Sequence, residues 1–112
     1  MAFDLILANG RVIDPSQGID RITDVAFADG KVAAIGDNLA AVGVDRRDVA
    51  GKIVTPGLID LHTHVYWGGT SLGVDAEDYA RQSAVTTSVD TGSAGPGNFP
   101  GFRKHVIEPS AV

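Results

Sequence analysis

Short apolar stretches separated by turn residues fill the first half of the chain. The stretches with strand character are residues 3–8, 11–13, 24–28, 31–35, 44–49 and 52–54. The dipeptides Asn9-Gly10 and Asp29-Gly30 lie between neighbouring stretches, and both are typical of two-residue hairpin turns. The pattern therefore predicts hairpins that build a small β-sandwich layer over residues 1–55.

The pattern changes after Pro56-Gly57, where strand-like and helix-like segments alternate. The expected elements are a strand at 58–64, a helix at 75–83, a strand at 84–90 and a helix at 102–107. The first strand opens with mostly apolar residues, which predicts burial on both faces, as in parallel sheets. Asp75 precedes the first helix and can cap it. The alternation predicts βα units with parallel strands.

Two histidines, His62 and His64, end the first of these strands. Side chains alternate along a strand, so both imidazoles should lie on one face together with Asp60. Neutral imidazole is a ligand for zinc and similar ions, and a nearby carboxylate can support such a ligand. The spacing predicts a metal site at the carboxyl end of a parallel strand. A solvated His-x-His pair formed by chance is the alternative.

Three segments of the chain resemble the amidohydrolase superfamily. The most specific is residues 56–64, which read Pro-Gly-Leu-Ile-Asp-Leu-His-Thr-His and are similar to the family's first barrel strand. Residues 3–15 resemble the opening strand of these enzymes, and residues 29–36 resemble their Asp-Gly hairpin. The three segments also follow one another in the family's order and at its spacing.

The resemblance implies a mixed β and α/β fold. Residues 1–55 would form part of a composite β-sandwich, and residues 56–112 would begin a metal-dependent hydrolase TIM barrel with its first two βα units. A (β/α)8 barrel needs about 250 residues, and the chain has 112. We therefore expect the chain to be the amino-terminal fragment of a longer enzyme.

The resemblance also implies a chemistry. The family hydrolyses carbon–nitrogen bonds other than peptide bonds (amides, cyclic amides, deamination) or related acyl bonds, using water activated by one or two divalent metals, most often zinc. His62 and His64 would bind metal, with Asp60 in support. The remaining ligands and the catalytic aspartate belong to later strands, so no catalytic residue is expected within the chain. The isolated chain should be inactive.

The resemblance indicates the substrate less precisely than it indicates the type of reaction. Dihydroorotases carry an arginine two residues after the second histidine, and this chain has Tyr66 there. That difference argues against true dihydroorotase activity and makes Tyr66 a candidate substrate contact. The segment 65–70 and the glycine-rich loops more closely resemble a branch described as dihydroorotase-like, adenine-deaminase-like or deacetylase-like. A non-catalytic, β-rich structural or association module is the alternative function.

The composition of the chain limits the classes of molecule that it is expected to bind. The net charge is −5 and the isoelectric point is near 4.9, which argues against nucleic-acid binding. No apolar run reaches the length of a membrane span, no signal peptide is visible, and cysteine is absent. We expect a cytoplasmic protein with a small-molecule substrate, no membrane partner, and self-association into a homo-oligomer.

Three other residues could be functional but have simpler interpretations. His105 should lie on the surface of an outer helix. Asp90 ends the second strand, where a turn-capping role is favoured over contact with the active site. Trp67 should shield a pocket or pack at an interface.

Overall fold

The computed structural model describes residues 3–112, and the fold is mostly β with few helices. The chain divides into two compact units, one that ends at Pro56 and one that spans Gly57–Val112. Within the described residues, none of the helices has the length and apolar character needed to cross a membrane.

The first unit is a five-stranded sheet built around its first strand. Its strands are β1 (Leu5–Asp14), β2 (Ile19–Ala28), β3 (Lys31–Gly36), β4 (Asp45–Asp48) and β5 (Ile53–Val54). The order is β3-β2-β1-β4, and β5 also pairs with β1. β1 is antiparallel to β2 but parallel to β4 and β5. The hairpins expected from sequence therefore include the pairing of β2 with β3 but none of the pairings of β1.

Alternation along β1 places one face of this strand in the core. Ile6, Ala8 and Val12 are buried, and Val25 and Ala26 of β2 are buried as well. The buried positions of β1 follow the period-2 pattern of a strand with one covered face, whereas the consecutive Val25 and Ala26 show that β2 is covered on both faces there. The hydrophobic core of the first unit therefore lies over β1 and β2.

The Asp29-Gly30 hairpin is confirmed. Both residues have positive φ angles, 52° and 70°, and the flanking Ala28 and Lys31 pair directly. Two left-handed residues in a two-residue loop form the turn that matches the twist of antiparallel strands. β2, however, begins at Ile19, five residues before the start expected from the apolar pattern.

The hairpin expected at Asn9-Gly10 is wrong, because β1 runs straight through these residues. Asn9 does adopt a left-handed φ of 63°, but the register with β2 shifts between Leu7 and Gly10, which marks a β-bulge. A Cβ on Gly10 would lie 2.8 Å from the side chain of Val54 and 3.0 Å from that of Val49. Glycine at this position therefore allows these two side chains to pack closely against β1.

A buried carboxylate holds the bulge in place. The Asp24 side chain is 4% exposed and accepts hydrogen bonds from the backbone N–H groups of Asn9 (2.9 Å) and Leu39 (3.1 Å). It also accepts one from Arg46 Nη2 at 3.1 Å. Asp24 thus connects β1, the segment after β3, and β4.

The second unit is a strand–helix–strand arrangement followed by a short helical segment. Its elements are β6 (Leu58–Thr63), α1 (Ala76–Ser83), β7 (Val85–Asp90), α2 (Phe99–Phe102) and a π-helical turn (Arg103–Ile107). β6 and β7 are parallel, as expected. Asp75 caps α1 by accepting the Asp78 N–H at 3.0 Å, which confirms its predicted role.

The second helix begins at Phe99, three residues earlier than predicted. Pro100 lies in its first turn, where the missing N–H of proline leaves no intrahelical partner unsatisfied. The helical backbone then continues into the π-helical turn.

Burial of β6 on both faces is not observed. Ile59 is 63% exposed and Leu61 is 72% exposed, and Leu58 is exposed too. Among the described residues β6 pairs with one strand, β7, so its other edge has no pairing strand. The core of this unit is instead a small cluster of Val65, Ala76 and Phe102.

Candidate metal centre

The two histidines lie at the carboxyl end of β6, with Thr63 between them. Their ring centroids are 5.7 Å apart with an interplanar angle of 71°. His62 is exposed and His64 is partly buried. Two imidazoles this close can converge on one cation. Metal binding by the pair stays a prediction.

His64 is held by a hydroxyl from the loop that follows β7. Its Nδ1 lies 3.0 Å from Ser93 Oγ, and Ser93 is 8% exposed. This contact occupies one ring nitrogen, so Nε2 is the nitrogen left to face a ligand. Ser93 was not expected to take part in the site.

Asp90 fixes the loop that carries Ser93. One carboxylate oxygen accepts from the N–H groups of Gly92 (3.0 Å) and Ser93 (2.7 Å), and the other accepts from Val65 N–H (2.9 Å). Desolvation raises the pKa of Asp90, but hydrogen bonds led by those from Ser93 and Val65 outweigh it, so the pKa is lowered. The predicted turn-capping role of Asp90 is confirmed.

Asp60 contacts the backbone of His62. Its Oδ1 accepts from the His62 N–H at 2.9 Å, and its Oδ2 accepts from the Tyr79 hydroxyl of α1 at 2.5 Å. The hydrogen bond from Tyr79, followed by that from His62, lowers the pKa of Asp60, and the same bond to Asp60 raises the pKa of Tyr79. Asp60 therefore anchors the strand at His62 through the main chain.

Tyr66 packs into the apolar cluster of the second unit. Its ring stacks on Phe102 with centroids 4.7 Å apart, and the loop glycines Gly69 and Gly73 leave no room for a Cβ beside Tyr66. A cavity of about 310 Å³ lies next to it, and its lining includes Trp67 but neither His62 nor His64. A substrate contact by Tyr66 stays a prediction.

The third histidine is separate from the pair. His105 is exposed on the π-helical turn, as the sequence predicted. In the part of the chain that the structure describes, no group of three or more His, Cys, Asp or Glu side chains is arranged to hold a metal. The chain thus brings together two candidate ligands with their supporting groups.

The contacts of Ser93 with His64 and of Tyr79 with Asp60 were not predicted from the sequence. A signal for Ser93 was present, because Asp90 ends a strand parallel to β6 and begins an Asp-x-x-Ser turn. The carboxyl ends of paired parallel strands lie at the same edge of the sheet, which brings this turn to His64. Tyr79 had no comparable signal, since its contact depends on the path of the loop before α1.

The chain is similar in sequence and structure to several known proteins. It is 39% identical over 109 residues to the deacetylase Atu3266 of Agrobacterium fabrum, which covers 95% of the chain. It superimposes on the crystal structure of a dihydroorotase with a TM-score of 0.80 and 38% identity, over 98% of the chain. It also matches D-aminoacylase, described as an amidohydrolase with a binuclear metal centre, at a TM-score of 0.62, 38% identity and 79% coverage.

The chain belongs to the amidohydrolase superfamily. This confirms the resemblance seen in the sequence. No protein-family model matches the chain. This amidohydrolase chain spans 27% of the length of the deacetylase, 29% of the dihydroorotase and 18% of D-aminoacylase.

Proposed function

We propose that the chain supplies the first two metal ligands, His62 and His64, of an enzyme that hydrolyses carbon–nitrogen or related acyl bonds. The observation that carries the proposal is the 5.7 Å approach of the two rings at the end of a parallel strand. The relatives support it, since one is a deacetylase and one has a binuclear metal centre.

The residues present fit a divalent cation, with zinc as the first candidate. Imidazole nitrogens suit zinc, and the Nδ1 contact of His64 leaves Nε2 for coordination. A bound divalent metal would supply Lewis acidity and a more acidic water. The chain's own groups hold the site: Asp60 fixes the main chain at His62, and Asp90 fixes the loop at His64.

The two units fit two parts of a larger architecture. The parallel β6–α1–β7 arrangement is the unit from which a (β/α)8 barrel is built, and its exposed apolar strand face suits contact with further strands. The five-stranded sheet would belong to a composite β-sandwich. The whole enzyme would act in the cytoplasm on a small amide or cyclic amide, with Tyr66 near the substrate, and would self-associate.

Metal titration tests the proposal. Isothermal titration calorimetry with zinc should give binding to the chain that His62→Ala and His64→Ala each abolish. His105→Ala is the matched control, because this histidine is exposed and remote from the pair in sequence, and it should leave binding unchanged. Equal zinc binding by all four proteins would refute the proposed site.

An activity assay addresses the chain itself. Two ligands leave coordination positions to solvent, and we assign no general base here. We expect the metal-loaded chain to show no amidase, esterase or deaminase turnover. Turnover that His62→Ala abolishes would contradict this expectation.

A second candidate function, association without catalysis, is favoured by the exposed apolar residues of β6. Leu58, Ile59 and Leu61 are exposed on a strand that pairs along one edge, and such a strand can pair with another chain. Loss of zinc binding in the histidine variants would argue for the metal function, whereas association that is independent of metal would favour this one.

A further inference from the structure

Ser93 is buried beside the candidate ligand that the sequence placed at the end of β6. Its hydroxyl lies 3.0 Å from His64 Nδ1, although the two residues are 29 positions apart. A buried hydroxyl at this distance from a ring nitrogen is a hydrogen bond whose direction depends on the histidine tautomer.

The segments that carry His64 and Ser93 are fastened together on both sides of the histidine. Before it, the Thr63 carbonyl accepts the Thr91 N–H at 3.0 Å. After it, the Val65 N–H donates to Asp90 at 2.9 Å. Because the same carboxylate also accepts the Ser93 N–H, the hydroxyl and the imidazole are held by one framework.

His62 has no such arrangement around its ring among the contacts of the described residues. Its backbone N–H donates to Asp60, and its side chain is exposed. The two histidines therefore differ: a buried hydroxyl contacts the ring of His64, whereas the described residues place only the edge-on ring of His64 beside the ring of His62.

Resting on the proposed function, we infer that Ser93 is a positioning residue that accepts the Nδ1–H of His64 and so presents Nε2 to a divalent cation. If the hydroxyl instead donated to Nδ1, the neutral ring would carry its proton on Nε2 and could not coordinate through that atom. Hydrogen bonds to the non-coordinating nitrogen of a histidine fix the tautomer and ring orientation of metal ligands.

The tautomer is measurable without any metal. Long-range 1H–15N correlation spectra of the metal-free chain, recorded at about pH 8 where ordinary imidazole is neutral, distinguish a protonated Nδ1 from a protonated Nε2. We expect the Nδ1–H form for His64. A dominant Nε2–H form in the unmodified chain would overturn the inference, and this result needs no variant to fold.

Variants distinguish the effect of the Ser93 hydroxyl from the effect of the loop that carries it. Ser93→Ala should shift His64 away from the Nδ1–H form and leave the His62 spectrum unchanged, while Ser93→Thr should retain the native form. Ser71→Ala is the matched control, since this serine is exposed on another loop. Equal tautomer populations in Ser93→Ala and the unmodified chain would overturn the inference.

Zinc titration of the same proteins distinguishes this inference from the proposed function. Ser93→Ala should bind zinc about 10- to 100-fold more weakly, with Ser93→Thr close to the unmodified chain. If zinc binds through both histidines and Ser93→Ala changes neither affinity nor tautomer, the role of Ser93 is refuted and the metal site stands. If Ser93→Ala changes the His64 tautomer but none of the proteins binds zinc, Ser93 does orient the ring of His64. In that case the proposed function is refuted, and with it the role of Ser93 in presenting Nε2 to a metal.

Discussion

In the five-stranded sheet Ile6 and Ala26 are 0% exposed, whereas in the two-stranded sheet Leu61 keeps 72% of its surface exposed. Both sheets are made of similar aliphatic residues, so composition does not explain the difference. β1 has strands on both sides, and β6 has one neighbour. The comparison shows that an apolar sequence alone does not secure burial. Even Ile22 of β2, a strand paired on both sides, is 71% exposed, so a side chain is buried only where another part of the unit packs over its face.

The largest expected effect is in the core of the first unit. Ile6→Ala should reduce the free energy of unfolding by about 2–5 kcal/mol, because it leaves a cavity under β1. Leu61→Ala should change it by about 0.5 kcal/mol or less, since the side chain is already in solvent. Amide hydrogen exchange in urea would measure these effects, in β1 and β2 for Ile6→Ala and in β6 and β7 for Leu61→Ala, and similar losses in the two variants would contradict this expectation.

A smaller effect is expected at the buried carboxylate of the first unit. Asp24→Ala leaves the N–H groups of Asn9 and Leu39 without their acceptor, which should cost about 1–3 kcal/mol. Asp20→Ala is the matched control: Asp20 pairs with Arg11 at the surface, where such pairs contribute about 0–1 kcal/mol. Denaturant midpoints by circular dichroism would rank the two variants, and an equal loss would show that burial of Asp24 is not decisive.

Acid should affect the second unit through Asp90. Because its folded pKa is lowered, its contribution is present above the unfolded pKa of about 3.9 and is lost as the pH falls through the folded value. Trp67, the single tryptophan, reports on this unit by fluorescence. Asp90→Asn should start less stable and lose less stability below about pH 4.

Asp78→Asn is the control for that experiment. Asp78 is exposed in its pair with Arg81, so the acid response should match that of the unmodified chain. An unchanged acid response in Asp90→Asn would show that the Asp90 hydrogen bonds do not stabilise the loop.

The smallest effect on stability should accompany a clear effect on association. Leu61→Lys places a charge on the exposed face of β6, which should reduce self-association at nearly constant stability. Analytical ultracentrifugation over a range of concentrations would measure it. A monomeric profile for the unmodified chain would show that the exposed face does not drive association.

The features that were predictable from the sequence follow from local chemistry or from the alternation of elements. The Asp29-Gly30 turn and the Asp75 cap depend on residues close together in the chain, and the parallel β6–β7 pair follows from the strand–helix–strand order. The Asn9-Gly10 turn failed because the buried Asp24 captures the Asn9 N–H within a continuous strand. That contact depends on β2 and β4 being in place, which a local pattern does not show.

Part of the candidate site was likewise predictable from the sequence, and part was not. The pairing of His62 with His64 follows from strand periodicity, and the rings lie close together. The contact from Ser93 depends on a loop that begins after the neighbouring strand. The exposure of Ile59 and Leu61 could not be predicted from their apolar character, because it depends on which other elements pack over β6.

The parallel pairing of β4 with β1 has a kinetic consequence. Leu5 pairs with Asp45, so a loop of about 40 residues must close before this contact forms, whereas β2 reaches β1 through a short connection. Antiparallel neighbours should therefore assemble first, and β4 should dock afterwards onto a formed edge. Pulse-labelled hydrogen exchange during refolding would show protection of β2 before β4, and simultaneous protection would exclude this order. Until β4 docks, the free edge of β1 is open to other chains, so the slow step of folding is also the one most exposed to aggregation.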